Sequence, residues 1–262
     1  MNIHRISCAV VASLLGLSMF TARTASADEW ELTIAPYIWI TSFDGKIGLR
    51  NQKEEIDASF EDILDASDSL LAFNADVRFH YGRFGLLFSP SYMQMGVDDV
   101  ANGTVLEADF TTDLLFLDMG AEYRVADWTM ETKNGEETKA TVDVLAGARY
   151  TKLKTELDFD DGTLGSPDRD KDWWDPIVGA EANIDLCPRW FAQLHGDVGG
   201  FGTSSDFATN AMATVGWRFN VWRINGAIRA GYRVFYEDYD TSGFDWRMTI
   251  HGPILGLMTT WG

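Results

Sequence analysis

Cysteine, proline and positive charge are all scarce in this chain, and so are long apolar runs. Of 262 residues only Cys8 and Cys187 are cysteines and six are prolines. Lysine and arginine number 21 against 40 aspartates and glutamates, a net charge of −19. Such a surface repels nucleic acid and anionic headgroups, so a nucleic-acid partner is excluded. Beyond residue 27 no apolar run approaches the ~18 residues of a spanning helix. What is plentiful is aromatic side chains (10 Trp, 8 Tyr, 16 Phe) and glycine (24). That mixture suits strands and tight turns.

The first 27 residues read as a cleaved signal peptide. Arg5 precedes the apolar stretch Cys8–Phe20, and Ala25-Ser26-Ala27 has the small-x-small pattern of a cleavage site. Its removal takes away Arg5 and Arg23 and no acid, moving the net charge from −19 to −21. Cys187 is then alone, so no intrachain disulfide forms. The expected mature domain, residues 28–262, must be stabilised by a large core or by a closed sheet held in a bilayer.

Period-two alternation dominates that domain. Leu71, Phe73, Ala75, Val77, Phe79 and Tyr81 alternate with Asn74, Asp76, Arg78 and His80. Similar runs occupy residues 115–124, 142–150, 178–186, 190–198, 210–219 and 228–236. With weaker runs at 30–41, 84–97 and 246–261 the expectation is ten strands, or twelve if the first long connection adds a hairpin. Pro253 marks a bulge or edge irregularity in the last strand. Connections after even strands are short: Gly82-Arg83, residues 187–189 and residues 222–226. The remaining one, residues 126–139, is longer but carries the hairpin signal Asn134-Gly135. Those after odd strands are generally longer and polar: 43–69, 98–103, 158–172, 201–206 and 240–243. In the first, Ser59 and the amphipathic Phe60–Asp65 predict a turn of helix over the barrel mouth.

Short turns at one end and long loops at the other are the pattern of an all-β, single, antiparallel up-and-down transmembrane barrel. The aromatic residues sort the same way. Trp30, Trp128, Trp190, Trp217, Trp222 and Trp261 fall near the short-turn end; Trp173, Trp174, Trp246, Tyr236 and Tyr239 fall near the long-loop end. A soluble periplasmic ligand-binding barrel also alternates, but keeps its apolar face inside.

Several segments resemble a poorly characterised group of Gram-negative outer-membrane β-barrel proteins, broadly similar to small barrels of the OmpW and OmpA kind. They are Ala35-Pro36-Tyr37-Ile38-Trp39, Gly147-Ala148-Arg149-Tyr150, Trp174-Asp175-Pro176-Ile177-Val178-Gly179, Asp197-Val198-Gly199-Gly200-Phe201-Gly202, Ser205-Asp206-Phe207, Gly231-Tyr232-Arg233 and His251-Gly252-Pro253. The resemblance implies a location in the bacterial outer membrane, reached through the periplasm, with lipid and lipopolysaccharide around the wall. Gly256 and Trp261 also resemble the C-terminal signal read by the barrel-assembly machinery, although Thr259 and Gly262 depart from it. No catalytic residue, cofactor or oligomeric state follows.

With apolar positions on lipid, the alternate positions line the lumen. These are seven acids (Asp76, Asp118, Glu122, Asp143, Glu181, Asp185 and Asp197) and six arginines (Arg78, Arg124, Arg149, Arg218, Arg229 and Arg233). Near-balanced charge in a narrow tube favours pairing. Two functions are compatible: a structural barrel with a salt-bridged lumen, or a narrow porin-like passage for small polar solutes. The rival class is an outer-membrane enzyme of lipid deacylase or hydrolase type. His195 and Asp197 share a face, but no serine nucleophile motif accompanies them. The acidic cluster Asp158, Asp160, Asp161, Asp168, Asp170 and Asp172 departs from the EF-hand pattern and reads as a solvated loop.

Overall fold

The computed structural model describes residues 30–49, 52–61, 63, 69–97, 108–131, 137–159, 169–221, 224–241 and 244–262. The expected signal peptide, Asn134-Gly135, and Asp160, Asp161 and Asp168 lie outside them. Twelve strands are described: β1 Trp30–Trp39, β2 Ser42–Leu49, β3 Gln52–Ala58, β4 Ser69–Tyr81, β5 Phe84–Val97, β6 Ala108–Glu131, β7 Glu137–Phe159, β8 Arg169–Cys187, β9 Trp190–Gly199, β10 Phe207–Val221, β11 Ile224–Thr241 and β12 Phe244–Trp261.

Ten of them, β1 and β4 to β12, pair antiparallel with their neighbours, and β1 closes on β12. No edge is left in this ring to be satisfied by solvent. The cross-strand register fixes its geometry. Partners traced once around the wall run from Leu32 through Phe79, Leu86, Ala121, Ala146, Val178, Val198, Thr209, Tyr236 and Thr249 to Asp44. The stagger is twelve residues (44 − 32), which tilts the strands by roughly 40°.

The two additional strands form a hairpin in the first long connection. β2 continues the register of β1 along β12, and β3 pairs with β2. The hairpin therefore adds to the sheet without widening the barrel. The break between β1 and β2 has a local cause. Pro253 on β12 has no N–H to give the opposite strand, and only the Ile40 N–H bonds to the Pro253 carbonyl, at 3.0 Å. The irregularity expected at Pro253 thus falls on its partner strand. Beyond the hairpin, Phe60, Glu61 and Ile63 make the expected helical turn, with Ile63 N–H donating to the Ser59 carbonyl at 3.0 Å and its side chain buried.

The wall is of uneven height. β6 and β7 have 24 and 23 residues, β9 only ten. The connection expected over residues 126–139 is mostly strand, because β6 runs on to Glu131 and β7 begins at Glu137.

Alternation sorts the side chains. Leu71, Phe73, Leu86, Val144, Leu194, Ile228 and Leu255 are among the exposed residues of the outer surface, while charged residues on the same strands are buried. This is the exterior of a transmembrane barrel, inverted relative to a soluble one. Three residues expected in the outer aromatic belt do not belong to it. Trp173 and Trp246 are buried in the lumen, and Tyr239 packs against the cluster they belong to. Each stands one residue out of phase with an outward neighbour such as Trp174. Ala75, expected outside, is also buried, at the point where β4–β5 pairing is interrupted opposite Pro90.

Glycine is required where backbones approach closely. A Cβ on Gly252 would run into the Ile40 carbonyl oxygen, at the β1–β2 break, whereas a Cβ on Gly196 meets nothing within 4 Å. Gly252→Val is therefore expected to lower stability by about 1–3 kcal/mol, and Gly196→Ala to leave it unchanged. The check is the temperature at which the unheated, fast-migrating band converts to the denatured one on a gel.

Candidate functional site: the charged lumen

All thirteen charged residues assigned to the lumen point into it. Ten are buried, and Arg124, Asp185 and Arg218 are half-buried towards the short-turn end. The deepest cation is Arg149 on β7, with no exposed surface. Its Nε and Nη2 donate to the two oxygens of Asp118 on β6, at 2.6 and 2.8 Å, and Nη2 also donates to Asp197 on β9 at 3.1 Å. The planar fork suits this double clasp, which an ammonium group would not reproduce. Asp197 further faces His195 Nε2 and accepts from Asn210, both at 3.1 Å.

The other acids have cationic partners too. Arg229 on β11 donates across the tube to Asp76 on β4 at 2.6 Å, to Gln193 on β9 at 3.1 Å and to the Ala35 carbonyl on β1 at 3.1 Å. Asp76 also accepts from Ser89 at 2.7 Å. Arg78 pairs with Glu181 and lies 3.7 Å from Glu122. Arg124 holds Asp143 at 3.0 Å, and Arg218 holds Asp185 at 2.5 Å.

Arg233 is the exception. It donates to three neutral acceptors, Tyr37 Oη at 2.7 Å, Ser91 Oγ at 2.8 Å and Asn210 Oδ1 at 2.9 Å. Its guanidinium carbon stands 4.5 Å from the Trp39 ring centroid. Hydrogen bonds and a cation–π contact take the place of an anion.

Above this layer, towards the long-loop end, the lumen changes character. Trp39, Leu114, Phe116, Trp173, Phe235, Trp246 and Ile250 form part of one buried apolar cluster. Phe235 caps Arg149, whose guanidinium carbon is 5.0 Å from its centroid. Glu237 is buried at the edge of the cluster and accepts from Trp173 Nε1 at 3.1 Å and Thr151 Oγ1 at 3.2 Å. Asp175 accepts from Ser205 N–H at 2.9 Å and Ser205 Oγ at 2.6 Å, clasping the β9–β10 loop. Alternation alone missed this layer, because both faces are apolar there. The run Leu114-Leu115-Phe116-Leu117 was the available signal.

Two small cavities lie among the described residues, one in each layer: about 20 Å³ beside Trp39 and Phe116, and about 10 Å³ beside Arg78 and Arg233. Both are on the scale of a single ordered water. The His195–Asp197 pair is present, but both ring nitrogens face carboxylates: Nε2 faces Asp197, and Nδ1 lies 3.5 Å from Glu181. Among the described residues no group of three or more His, Cys, Asp or Glu could hold a metal ion.

No protein-family model matches the sequence, and no curated protein is similar to it. Solved structures similar in shape include the attachment invasion locus protein Ail of Yersinia pestis, in complex with the heparin analogue sucrose octasulfate. It is 11% identical with a TM-score of 0.38, over 89% of this chain and 99% of that one. The outer-membrane protease OmpT of Escherichia coli is 10% identical with a TM-score of 0.46, over 91% and 99%. A FadL homologue of Pseudomonas aeruginosa is 10% identical with a TM-score of 0.28, over 88% and 89%. At these distances no residue role or activity transfers to this chain.

Replacing Arg149 by methionine leaves Asp118 and Asp197 buried without their cation. The expected loss is about 3–5 kcal/mol. Adding Asp118→Asn and Asp197→Asn should restore most of it. Urea midpoints of the folded protein in detergent, read by tryptophan fluorescence, test both statements.

Proposed function

We propose that this protein is an outer-membrane barrel that acts as a closed structural scaffold, carrying its long strands and loops on the outer face and passing no solute at rest. The observation that carries the reading is the filled lumen. A salt-bridged layer and an aromatic layer lie in series, and the two cavities within them are on the scale of a single water. An ion crossing it must displace Arg149 from two carboxylates and then part a hydrocarbon cluster, both costly steps. The apolar exterior supports the membrane setting, as do the leader-like first 27 residues and the barrel-assembly signal at Gly256 and Trp261. Lipid and lipopolysaccharide are the partners this wall fits. Catalysis at His195 has less support, since the imidazole is enclosed and both its nitrogens face acids.

Planar-bilayer recording of the purified protein is the direct test, and it should show no stepwise current. Steady steps that disappear in the Arg229→Gln, Arg233→Gln double variant would replace the scaffold with a solute passage. Spin labels at Val144→Cys and Ile228→Cys, both on the outward face, should be quenched by lipid-soluble oxygen rather than by a water-soluble reagent. Water contact at these sites in native membranes would remove the membrane setting altogether.

A further inference from the structure

One buried carboxyl takes no part in the salt-bridged layer. Glu237 stands on the inward face of β11 with no exposed surface. Its partner on β10 is Ala208, which in turn pairs with Gly199 on β9. These two lack bulk, so the Glu237 side chain reaches past them to β8 and β7. There Oε1 accepts from both Trp173 Nε1 at 3.1 Å and Thr151 Oγ1 at 3.2 Å. Oε2 has no partner among the described residues. The other neighbours belong to the aromatic layer. They are Phe235 two residues before it, Met248 opposite it on β12, and Tyr239, which stacks on Trp173 with centroids 4.1 Å apart.

No cation is set aside for this acid. Arg149 on β7 acts on it, but the guanidinium is committed to Asp118 and Asp197 and lies under the Phe235 ring. That triad already carries one net negative charge. Asp175, two residues from Trp173 on β8, adds another. Arg233, lower on the same strand, is separated from Glu237 by Phe235 and is held by neutral groups. Lys171, on the far side of Trp173, and Asp206 in the β9–β10 loop are exposed. An ionised Glu237 would leave a charged oxygen unpartnered in a dry cluster. A neutral acid leaves only an O–H, which costs far less.

We propose that Glu237 is a proton-operated latch: neutral, it fastens the aromatic layer shut; ionised, it opens the lumen to water and small ions. The inference rests on the lumen being closed at rest, as the proposed function has it. With its proton, Glu237 ties β11 to β7 and β8 across the tube and keeps the Trp173–Tyr239 stack in place. Without it, Oε2 is satisfied in one of two ways. Water reaches it when the stack is displaced. Otherwise it meets Arg149 Nη1, which also lacks a partner among the described residues and lies under Phe235. Either route parts the layer, and the second also loosens the clasp beneath it. The open state exposes Glu237 to water and binds fewer protons than the closed one, so raising the pH favours opening.

Single-channel recording of the full-length protein in planar bilayers, stepped from neutral to alkaline pH, tests the latch. The wild type is expected to be silent at neutral pH and to open at alkaline pH. Its open probability should rise about tenfold per pH unit below the midpoint, as for one proton. Glu237→Gln keeps the shape and the acceptor without a titrating proton, and is expected to stay silent throughout. The gel-mobility shift on heating reports whether this variant is folded. Infrared spectra of the wild type should show a protonated-carboxyl band at neutral pH that fades as current appears, and Glu237→Gln should lack it. Absence of that band in the wild type would overturn the latch. So would equal alkaline currents in folded Glu237→Gln. Silence of the wild type at every pH refutes the latch and leaves the scaffold standing, whereas steps at neutral pH remove the scaffold as well.

Discussion

A guanidinium with no exposed surface, held between carboxylates from two other strands, sets the terms for the interior. Arg149 cannot lose its proton, and it cannot be left in a dry tube without anions. Asp118 and Asp197 must therefore stand where they do, and the register of β6 to β9 must bring them there. The remaining contacts extend the same logic. Asp197 recruits His195 and Asn210, Asn210 orients Arg233, and Arg233 engages Tyr37 and Ser91 from the far side of the ring. A slip of one residue in any of these strands would send these charges into lipid. The network thus specifies register as well as filling space.

Closure and chemistry reinforce one another. A closed ring pairs the backbone all the way round the wall, with local breaks opposite Pro253 and Pro90, which lets the outer surface be hydrocarbon. That surface then requires charged side chains to be inside, and a ring of ten strands is narrow enough for them to reach across. Arg229 shows this directly, touching residues of β1, β4 and β9 from its place on β11.

The strand faces were readable because apolar and charged residues alternate through most of the wall. The direction of the seven acids and six arginines named from the sequence followed from that parity, whereas the buried acids Glu237 and Asp175 were not among them; the short turns at Gly82-Arg83 and Pro188-Arg189 were legible as gaps between the alternating runs. Pairing across the lumen did not. Which acid Arg229 meets depends on the twelve-residue stagger, a property of the closed ring that no single strand encodes. The aromatic layer was missed for a different reason. Trp173 and Trp174 are adjacent, and composition does not say which of the two faces in. Arg233 was expected to share in the charge pairing, yet its partners are a tyrosine, a serine and an asparagine, which carry no formal charge to count. The β2–β3 hairpin was legible only as an alternative: Phe43, Ile47 and Leu49 alternate with Asp44 and Lys46 in β2, but β3 opens on the polar run Gln52-Lys53-Glu54-Glu55.

The uneven height of the wall has a consequence for whatever approaches from outside. The β9–β10 side ends early, in a seven-residue loop clasped down by Asp175, whereas β7 and β8 on one flank and β11 and β12 on the other continue past it. The mouth is therefore a sloping parapet with one low sill. A large visitor approaching over that sill comes closest to the aromatic layer.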